Sequence, residues 1–259
     1  MKNFLILFLI NISIFAAPVG NPLTPEIIQT GFYIPPSGFV NVRLGYEGNF
    51  ISNANLQKSF NGNEIDNFKL DSNSGSFILN FKKRLDLFGI FGVSRIRSEY
   101  RFSYQDVISR IEYESDYRIF YEAGGRVILI QWGNTALDIG GRYSKTKPGL
   151  SFIILDGVPQ IKDNSFIKFS SYQINLGLSY AIDIFIPYIG TKYSQSKAEL
   201  QGLNFVISDE GTGYLNMKNK NDFGLYLGCS LSNKRYFLLN LEARFIDEEA
   251  ISISGEFKF

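Results

Sequence analysis

The sequence predicts an all-β fold, a transmembrane, antiparallel, up-and-down β-barrel of about ten strands (range 8–12). The first observation behind this prediction is a two-residue alternation of apolar and polar residues, which recurs from residue 38 to the end. The second is that several alternating segments exceed the ~9–11 residues with which a tilted strand crosses a bilayer. The third is the composition, because 24 Phe, 15 Tyr and 24 Gly favour strands and turns over helices.

The N-terminus has the pattern of a secretory signal peptide. A short basic start is followed by an apolar segment, 4–15, and by two alanines. We predict a signal peptide over 1–16 with cleavage after Ala16, and a membrane anchor is the alternative, although the apolar run is short for one. Residues 17–37 hold five of the eight prolines. They predict an extended, Pro-rich periplasmic segment, and the barrel then occupies 38–259.

Ten segments carry the alternation in order. In the first, Val40, Val42 and Leu44 share one face of the predicted strand, while Arg43 and Glu47 lie on the other. The later segments repeat this pattern with aromatic and aliphatic residues on one parity and polar residues on the other. The ten segments are 38–50, 73–81, 86–102, 109–130, 135–144, 170–180, 184–194, 222–231, 236–245 and 251–259.

The connectors between these segments differ in length. We predict tight turns around 83–84, 133–134, 181–182 and 233–234. Several of the intervening connectors are longer and more polar, namely 52–66, 156–164 and 199–216. Short turns at one end and longer loops at the other are typical of outer-membrane barrels. A further hairpin within 52–75 or 199–216 is an open alternative.

The apolar faces are predicted to contact lipid and the charged faces to line the barrel interior. A secreted β-sandwich is the alternative, but it would have shorter strands and exposed sheet edges. The basic row Arg95, Arg97 and Arg101 is expected to pair with the acidic strand 110–118, to act as an ion filter, or both. The predicted pore-lining residues are Arg43, Glu47, Arg95, Arg97, Arg101, Glu112, Asp116, Arg118, Arg126, Arg142, Lys192, Glu242 and Arg244.

Several classes of function are disfavoured by the composition. The chain has no histidine, which removes the commonest general base and metal ligand. Cys229 is the single cysteine, and 26 basic against 25 acidic residues leave no basic footprint for nucleic acid. We therefore predict no catalytic residues, no metal, no cofactor and no enzymatic activity. The acidic run 247–249 is interpreted as a solvated connector, and the stretch 208–213 lacks the spacing of a calcium or phosphate loop.

Several segments, in order, resemble the chlamydial major outer membrane porin family. They begin with "PVGNP" and "VRLGYEGNF" and continue with "LNFKKRLDLFGIFG". "GGRVILIQWGNTALDIGGRYSKTKP" is similar to a glycine–arginine strand, turn and return strand of that family. "LSYAIDIFIPYIGTKYS" and "LEARFIDEEAISISGEFKF" complete the set, which covers most of 18–50 and 77–259.

The resemblance implies a multi-pass barrel in the outer membrane of a Chlamydia-like bacterium. It implies passive diffusion of small hydrophilic solutes or ions and a homotrimer. It also implies contact with outer-membrane lipid and with the barrel-assembly machinery, which would read the terminal residues Ile251, Ile253, Phe257 and Phe259. The chain departs from the family in being shorter and cysteine-poor. The alternative function is a narrow or plugged structural or adhesive surface barrel, because side chains nearly fill barrels of about eight strands.

Overall fold

The computed structural model describes residues 18–27, 39–59, 65–104, 107–160, 164–203, 214–233 and 235–259. The predicted signal peptide, 1–16, and the stretch 208–213 lie outside these residues. Within the described residues, no helix is both long and apolar enough to cross a membrane.

The described residues form one helical turn and a single antiparallel sheet. The helix is α1 (Thr24–Ile27). The strands are β1 (Val40–Asn53), β2 (Leu56–Lys58), β3 (Asn67–Phe81), β4 (Leu85–Tyr104), β5 (Val107–Ser115), β6 (Arg118–Trp132), β7 (Thr135–Thr146), β8 (Leu150–Leu155), β9 (Val158–Pro159), β10 (Phe166–Tyr180), β11 (Phe185–Gln201), β12 (Tyr214–Asn219), β13 (Phe223–Ser232), β14 (Phe237–Phe245) and β15 (Glu249–Lys258).

The sheet closes into a barrel because the first strand pairs with the last. The seam between β1 and β15 runs from Arg43 opposite Lys258 to Phe50 opposite Ile251. Ten strands form the continuous wall, in the order β1, β3, β4, β6, β7, β10, β11, β13, β14 and β15. The predicted ten-strand antiparallel barrel is confirmed.

The tight turns gather at one end of the barrel, which we call the tight-turn end. They join β3 to β4, β6 to β7, β10 to β11 and β13 to β14, as the sequence predicted. Lys82, Lys83, Gly133 and Asp183 take positive φ angles there, the conformation that such turns require. The opposite end, the long-loop end, carries β2, β5, β8, β9 and β12. There β2 pairs with β12, and the described residues of these connectors form no further membrane-crossing hairpin.

The chemistry of the outward face reverses along β4, from apolar to charged. Near the tight-turn end the outward face is apolar, with Phe91 68% and Val93 41% exposed. Toward the long-loop end the same face carries Arg97, while Ile96 and Tyr100 are fully buried inside the barrel. The prediction that the even-numbered apolar residues of 86–102 face lipid is therefore wrong, because Phe88, Ile90, Ile96 and Tyr100 all point into the barrel. Outside the bilayer the outer surface meets water, so the apolar residues turn inward.

The same reversal occurs along β11. Ile189 lies on its outward face near the tight-turn end, and Lys197 lies on that face near the long-loop end. On the inward face, Lys192 is followed toward the long-loop end by the buried Leu200. The outward face thus changes from apolar to polar between Val93 and Arg95 on β4 and between Tyr193 and Gln195 on β11.

The segment 109–130, predicted as one strand, is two strands with opposite parity. In β5 the odd-numbered Ile111 and Tyr113 are buried inside the barrel. In β6 the odd-numbered Ile119 and Tyr121 are exposed on the outside. The break lies at 116–117, where the chain leaves its pairing with β8 and joins β7.

A cluster of apolar side chains fills the long-loop end of the barrel, and we call it the apolar cap. It buries Tyr100, Phe68 and Phe169 together with aliphatic residues from the loops and strand ends. Its members are Ile51, Ala54, Leu56, Ile65, Phe68, Leu70, Ile96, Tyr100, Ile111, Tyr113, Leu150, Ile153, Ile167, Phe169, Ala198, Leu200, Leu203, Leu215, Met217 and Ala250.

Two reciprocal tyrosine–glycine pairs tighten the wall between β11 and β13. Tyr188 lies opposite Gly228, and Gly190 lies opposite Tyr226. The two tyrosine rings, 6.2 Å apart at their centroids, each occupy the space beside the opposite glycine. Glycine is required at both positions because a side chain would collide with the ring.

Replacing Gly228 by alanine is expected to lower the free energy of unfolding by about 1–3 kcal/mol, the usual cost of overpacking. A Cβ at this position would lie 2.5 Å from the carbonyl oxygen of Leu241 and against the ring of Tyr188. Gly255→Ala is the matched control, since its Cβ would meet nothing closer than the Leu238 oxygen at 4.0 Å. Urea titration of the refolded proteins in detergent measures the free energy of unfolding of both variants. Equal losses in the two variants would contradict the steric explanation.

Candidate functional site

The candidate site is the interior of the barrel between the tight-turn end and the apolar cap. Inward-facing residues of β1, β6, β7, β11 and β14 supply charged side chains that are buried from outside solvent. Seven of the predicted pore-lining residues lie on this inner face: Arg43, Glu47, Arg126, Arg142, Lys192, Glu242 and Arg244.

Arg142 on β7 is the centre of one buried ion-pair group. Its Nε lies 2.6 Å from Glu122 Oε1, and its Nη1 lies 3.4 Å from Glu47 Oε1. The ring of Phe88 lies 5.1 Å from the guanidinium carbon and supports it from the side. One cation thereby joins the hairpin strands β6 and β7 to β1, which is distant from them in sequence.

Arg43 on β1 is the centre of a second group. It contacts Asp86 Oδ2 at 2.5 Å and Glu256 Oε2 at 3.0 Å. Asp86 and Glu256 are not among the predicted pore-lining residues. The alternation contained the signal for Glu256, because it stands on the parity opposite to the apolar Phe257.

A third group joins β11 and β14 to the turn at 246–248. Arg244 Nε lies 2.6 Å from Glu248 Oε1, and Lys192 Nζ lies 2.8 Å from Asp247 Oδ2 and also contacts Glu248. The interpretation of 247–249 as a solvated connector was therefore wrong for Asp247 and Glu248, which fold inward. Burial opposes the ionisation of Glu248, but Lys192 and Arg244 outweigh it and lower its pKa to about 2.

The other six predicted pore-lining residues lie outside the interior. Arg95, Arg97, Arg101 and Glu112 stand on the outward face near the long-loop end, where that face meets water. Asp116 and Arg118 are exposed at the break between β5 and β6. Their placement differs from the prediction because the face reversal and the break change which parity points inward.

The outward charges near the long-loop end form surface ion pairs. Arg95 pairs with Glu114, so the expected pairing with the strand 110–118 holds for this residue. Arg97 contacts Asp71 at 2.7 Å, and Arg101 contacts Asp66 at 2.8 Å. The hydrogen bond from Arg101 lowers the pKa of the Asp66 carboxyl below its usual range.

The described part of the N-terminal segment, 18–27, lies inside the barrel. Val19 and Asn21 are buried in the interior, and α1 sits at the tight-turn end against Ile128 and Ile186. The periplasmic location of the whole segment 17–37 stays a prediction.

Two small cavities lie among the charged groups of the described interior. One cavity of about 30 Å³, the size of a single water, lies beside Arg142 and Lys192. A second of about 30 Å³ lies between Pro18 and Glu256. No group of His, Cys, Asp and Glu suited to hold a metal ion is found among the described residues.

The terminal strand completes the wall. Ile251 and Phe257 are more than half exposed on the outward face, while Ile253 and Phe259 are partly buried. The Phe259 amide donates to the Val42 carbonyl at 3.0 Å, so pairing extends to the last residue. A role of these residues in assembly stays a prediction.

Comparisons with solved structures show loose likenesses to outer-membrane barrels. The outer membrane protease OmpT from Escherichia coli is 9% identical, with a TM-score of 0.42 and coverage of 85% of this chain and 96% of that one. An outer membrane channel from Pseudomonas putida F1 is 12% identical, with a TM-score of 0.42 and coverage of 87% and 100%. These TM-scores are too low to indicate a function.

No family model matches the sequence. Among curated proteins, the major outer membrane porin of Chlamydia trachomatis serovar L1 is 20% identical over 379 residues, with 95% of each chain covered. The major outer membrane porin of Chlamydia muridarum is 20% identical over 387 residues, covering 95% of this chain and 96% of the relative. This chain is an outer-membrane β-barrel that is similar, over nearly its full length, to major outer membrane porins.

Proposed function

We propose that the chain is a member of the chlamydial major outer membrane porin family and a channel for passive diffusion of small hydrophilic solutes or ions. Diffusion through the barrel interior requires no chemical step and no cofactor. The names of the full-length relatives support a porin role. By the same similarity we propose a homotrimer, and an assembly signal at Ile251, Ile253, Phe257 and Phe259.

The observation that carries this proposal is the charged interior at the level of the apolar belt. Arg43, Arg142 and Arg244 are almost fully removed from outside solvent, yet each is paired with acids. Burying ions costs more than filling the same space with apolar side chains, so a merely structural barrel gains nothing from them. A wall of fixed charges suits the passage of water, ions and polar solutes.

The proposed pore-lining set is the seven inward residues together with Asp86, Glu122, Asp247, Glu248 and Glu256, which share their ion-pair groups. The six predicted residues on the outer surface are not part of this proposal. Since the apolar cap and residues 18–27 occupy the two ends of the interior, we expect conduction to be intermittent rather than continuous.

The test is conductance of the purified full-length mature protein in planar bilayers. We expect stepwise single-channel currents. Lys192→Gln is expected to shift the permeability ratio toward cations by roughly twofold, because it removes a positive charge from the wall. Arg97→Gln, on the outer surface, is the matched control and is expected to leave the ratio unchanged.

Two results would contradict the channel proposal. The first is electrical silence of a protein whose barrel fold is verified by circular dichroism and heat-modifiable mobility on gels. This outcome would favour the alternative, a plugged structural or adhesive surface barrel. The second is an equal shift for Lys192→Gln and Arg97→Gln, which would place the conducting path outside the interior.

A further inference from the structure

The barrel interior contains a binding site for an extended peptide, and its occupant is the chain's own N-terminal segment. The carboxylate of Glu242 on β14 accepts two consecutive main-chain hydrogen bonds, from Val19 N and Gly20 N, both at 2.7 Å. Two adjacent amides directed at one carboxylate form a small anion-binding nest. Tyr188 and Arg244 donate to the same carboxylate at 3.1 and 3.2 Å, which holds it in place.

The carbonyl groups of the segment are bound by arginines of β6 and β1. Arg126 on β6 donates from Nη1 to Asn21 O at 2.9 Å and from Nη2 to Val19 O at 3.0 Å. Arg43 donates to Thr24 O at 3.1 Å. An acid thus binds the amides and two arginines bind the carbonyls of one short segment, as its main-chain polarity requires.

The fit also depends on the identity of particular residues in the segment. Gly20 has φ +80°, and a Cβ there would lie 2.7 Å from Arg126 Nη2, so another residue would displace the guanidinium. The side-chain amide of Asn21 donates from Nδ2 to Ile186 O at 3.0 Å and to Ser230 Oγ at 2.8 Å. The sequence of the segment is therefore specific to this interior.

The two closures of the barrel differ in how they can open. The apolar cap is built from loops and strand ends that belong to the wall itself, so opening it would expose a hydrophobic core to water. Residues 18–27 contact the wall largely through hydrogen bonds that water can replace, and their apolar contacts are limited to Val19, Leu23 and Ile27 in two small clusters. Only residues 28–39 join them to β1.

We propose that residues 18–27 are a tethered plug, which closes the tight-turn end of the interior and leaves it as a unit. Its withdrawal exposes Glu242 and Arg126 to the lumen. As a regulator of diffusion the plug rests on the proposed channel function. As a peptide bound in the lumen it can be tested without any conduction.

The first test measures access to the interior. In a Cys229→Ala background, Ser254→Cys places a thiol in the cavity that Gly20 also lines. Deletion of 18–27, and separately Gly20→Val, are expected to raise the rate of labelling by a membrane-impermeant maleimide about tenfold or more. Gly75→Val is the control for the glycine-to-valine change: on the exposed face of β3 its Cβ would meet nothing closer than the Gly45 oxygen at 3.8 Å, so we expect the rate to stay unchanged.

The second test supplies the plug in trans. A synthetic peptide with the sequence of residues 18–27 is expected to slow the labelling of the deletion variant, while the same peptide with valine in place of Gly20 is not. Equal labelling rates in the full chain and the deletion variant, or no effect of the peptide, would overturn the plug.

Bilayer recordings on the same variants separate the two proposals. Fast labelling with electrical silence in the deletion variant would leave the plug standing and remove the channel function. Steady currents that are equal with and without residues 18–27 would leave the channel function standing and remove the plug.

Discussion

Replacing Arg142 by leucine is expected to lower the free energy of unfolding by about 3–5 kcal/mol, the range for a buried pair that loses one partner. The guanidinium lies between Glu122 at 2.6 Å and Glu47 at 3.4 Å, and all three side chains are less than 10% exposed. Leucine would leave two carboxylates close together in the interior with no cation between them. Their repulsion and incomplete solvation would oppose folding.

The measurement is urea unfolding of the refolded barrel in detergent micelles, followed by the fluorescence of Trp132, the single tryptophan. Arg97→Leu is the matched control, because this arginine also has a carboxylate partner, Asp71 at 2.7 Å, but is about half exposed. We expect the control to cost about 0–1 kcal/mol. Equal losses in the two variants would show that the Arg142 group is as well hydrated as the surface pair.

Replacing Ile189 by arginine is expected to lower the free energy of unfolding in lipid vesicles by about 2–4 kcal/mol, the cost of a charge on the lipid face near the midplane. Ile189 is 58% exposed on the outward face of β11, between Leu178 and Leu227 on the neighbouring strands. An arginine there would lie in hydrocarbon with only apolar side chains beside it.

Gln201→Arg is the control on the same face of the same strand. It lies at the long-loop end, beyond the point where the outward residues become polar, so we expect a change within about 0.5 kcal/mol. Both variants are compared by urea titration in the same vesicles. If Gln201→Arg proved as costly as Ile189→Arg, the apolar belt would reach the strand ends and the face reversal would need another explanation.

The sequence by itself determined the number and order of the membrane strands. Within the apolar belt the outer surface can only be apolar, so each crossing leaves an alternation that reads directly, as in 170–180 and 223–231. The four tight turns were equally visible, since short polar or glycine-containing stretches separate adjacent alternating segments. The same alternation placed Arg43, Arg142 and Lys192 on the inner face.

A period of two separates the faces of a strand without saying which of them points inward. On β4 the odd face is apolar at Phe91 and charged at Arg97, and both point outward, because the surroundings change from lipid to water between them. The predicted lipid face was the even one along the whole strand, because the charges stand on the odd one, and Arg95, Arg97 and Arg101 were therefore expected in the lumen. Whether an outward residue is apolar or charged depends on its height relative to the bilayer. That height is set only when the barrel has closed.

The tertiary structure alone decided what fills the interior. Asp247 and Glu248 read as a solvated connector because their partners, Lys192 and Arg244, are brought to them by barrel closure. Residues 18–27 carry no periodic pattern, and the amides of Val19 and Gly20 donate to Glu242, more than two hundred positions away. Local sequence encodes strands and turns because their geometry is local, whereas the occupant of a lumen is selected by contacts that exist only once the ring has closed.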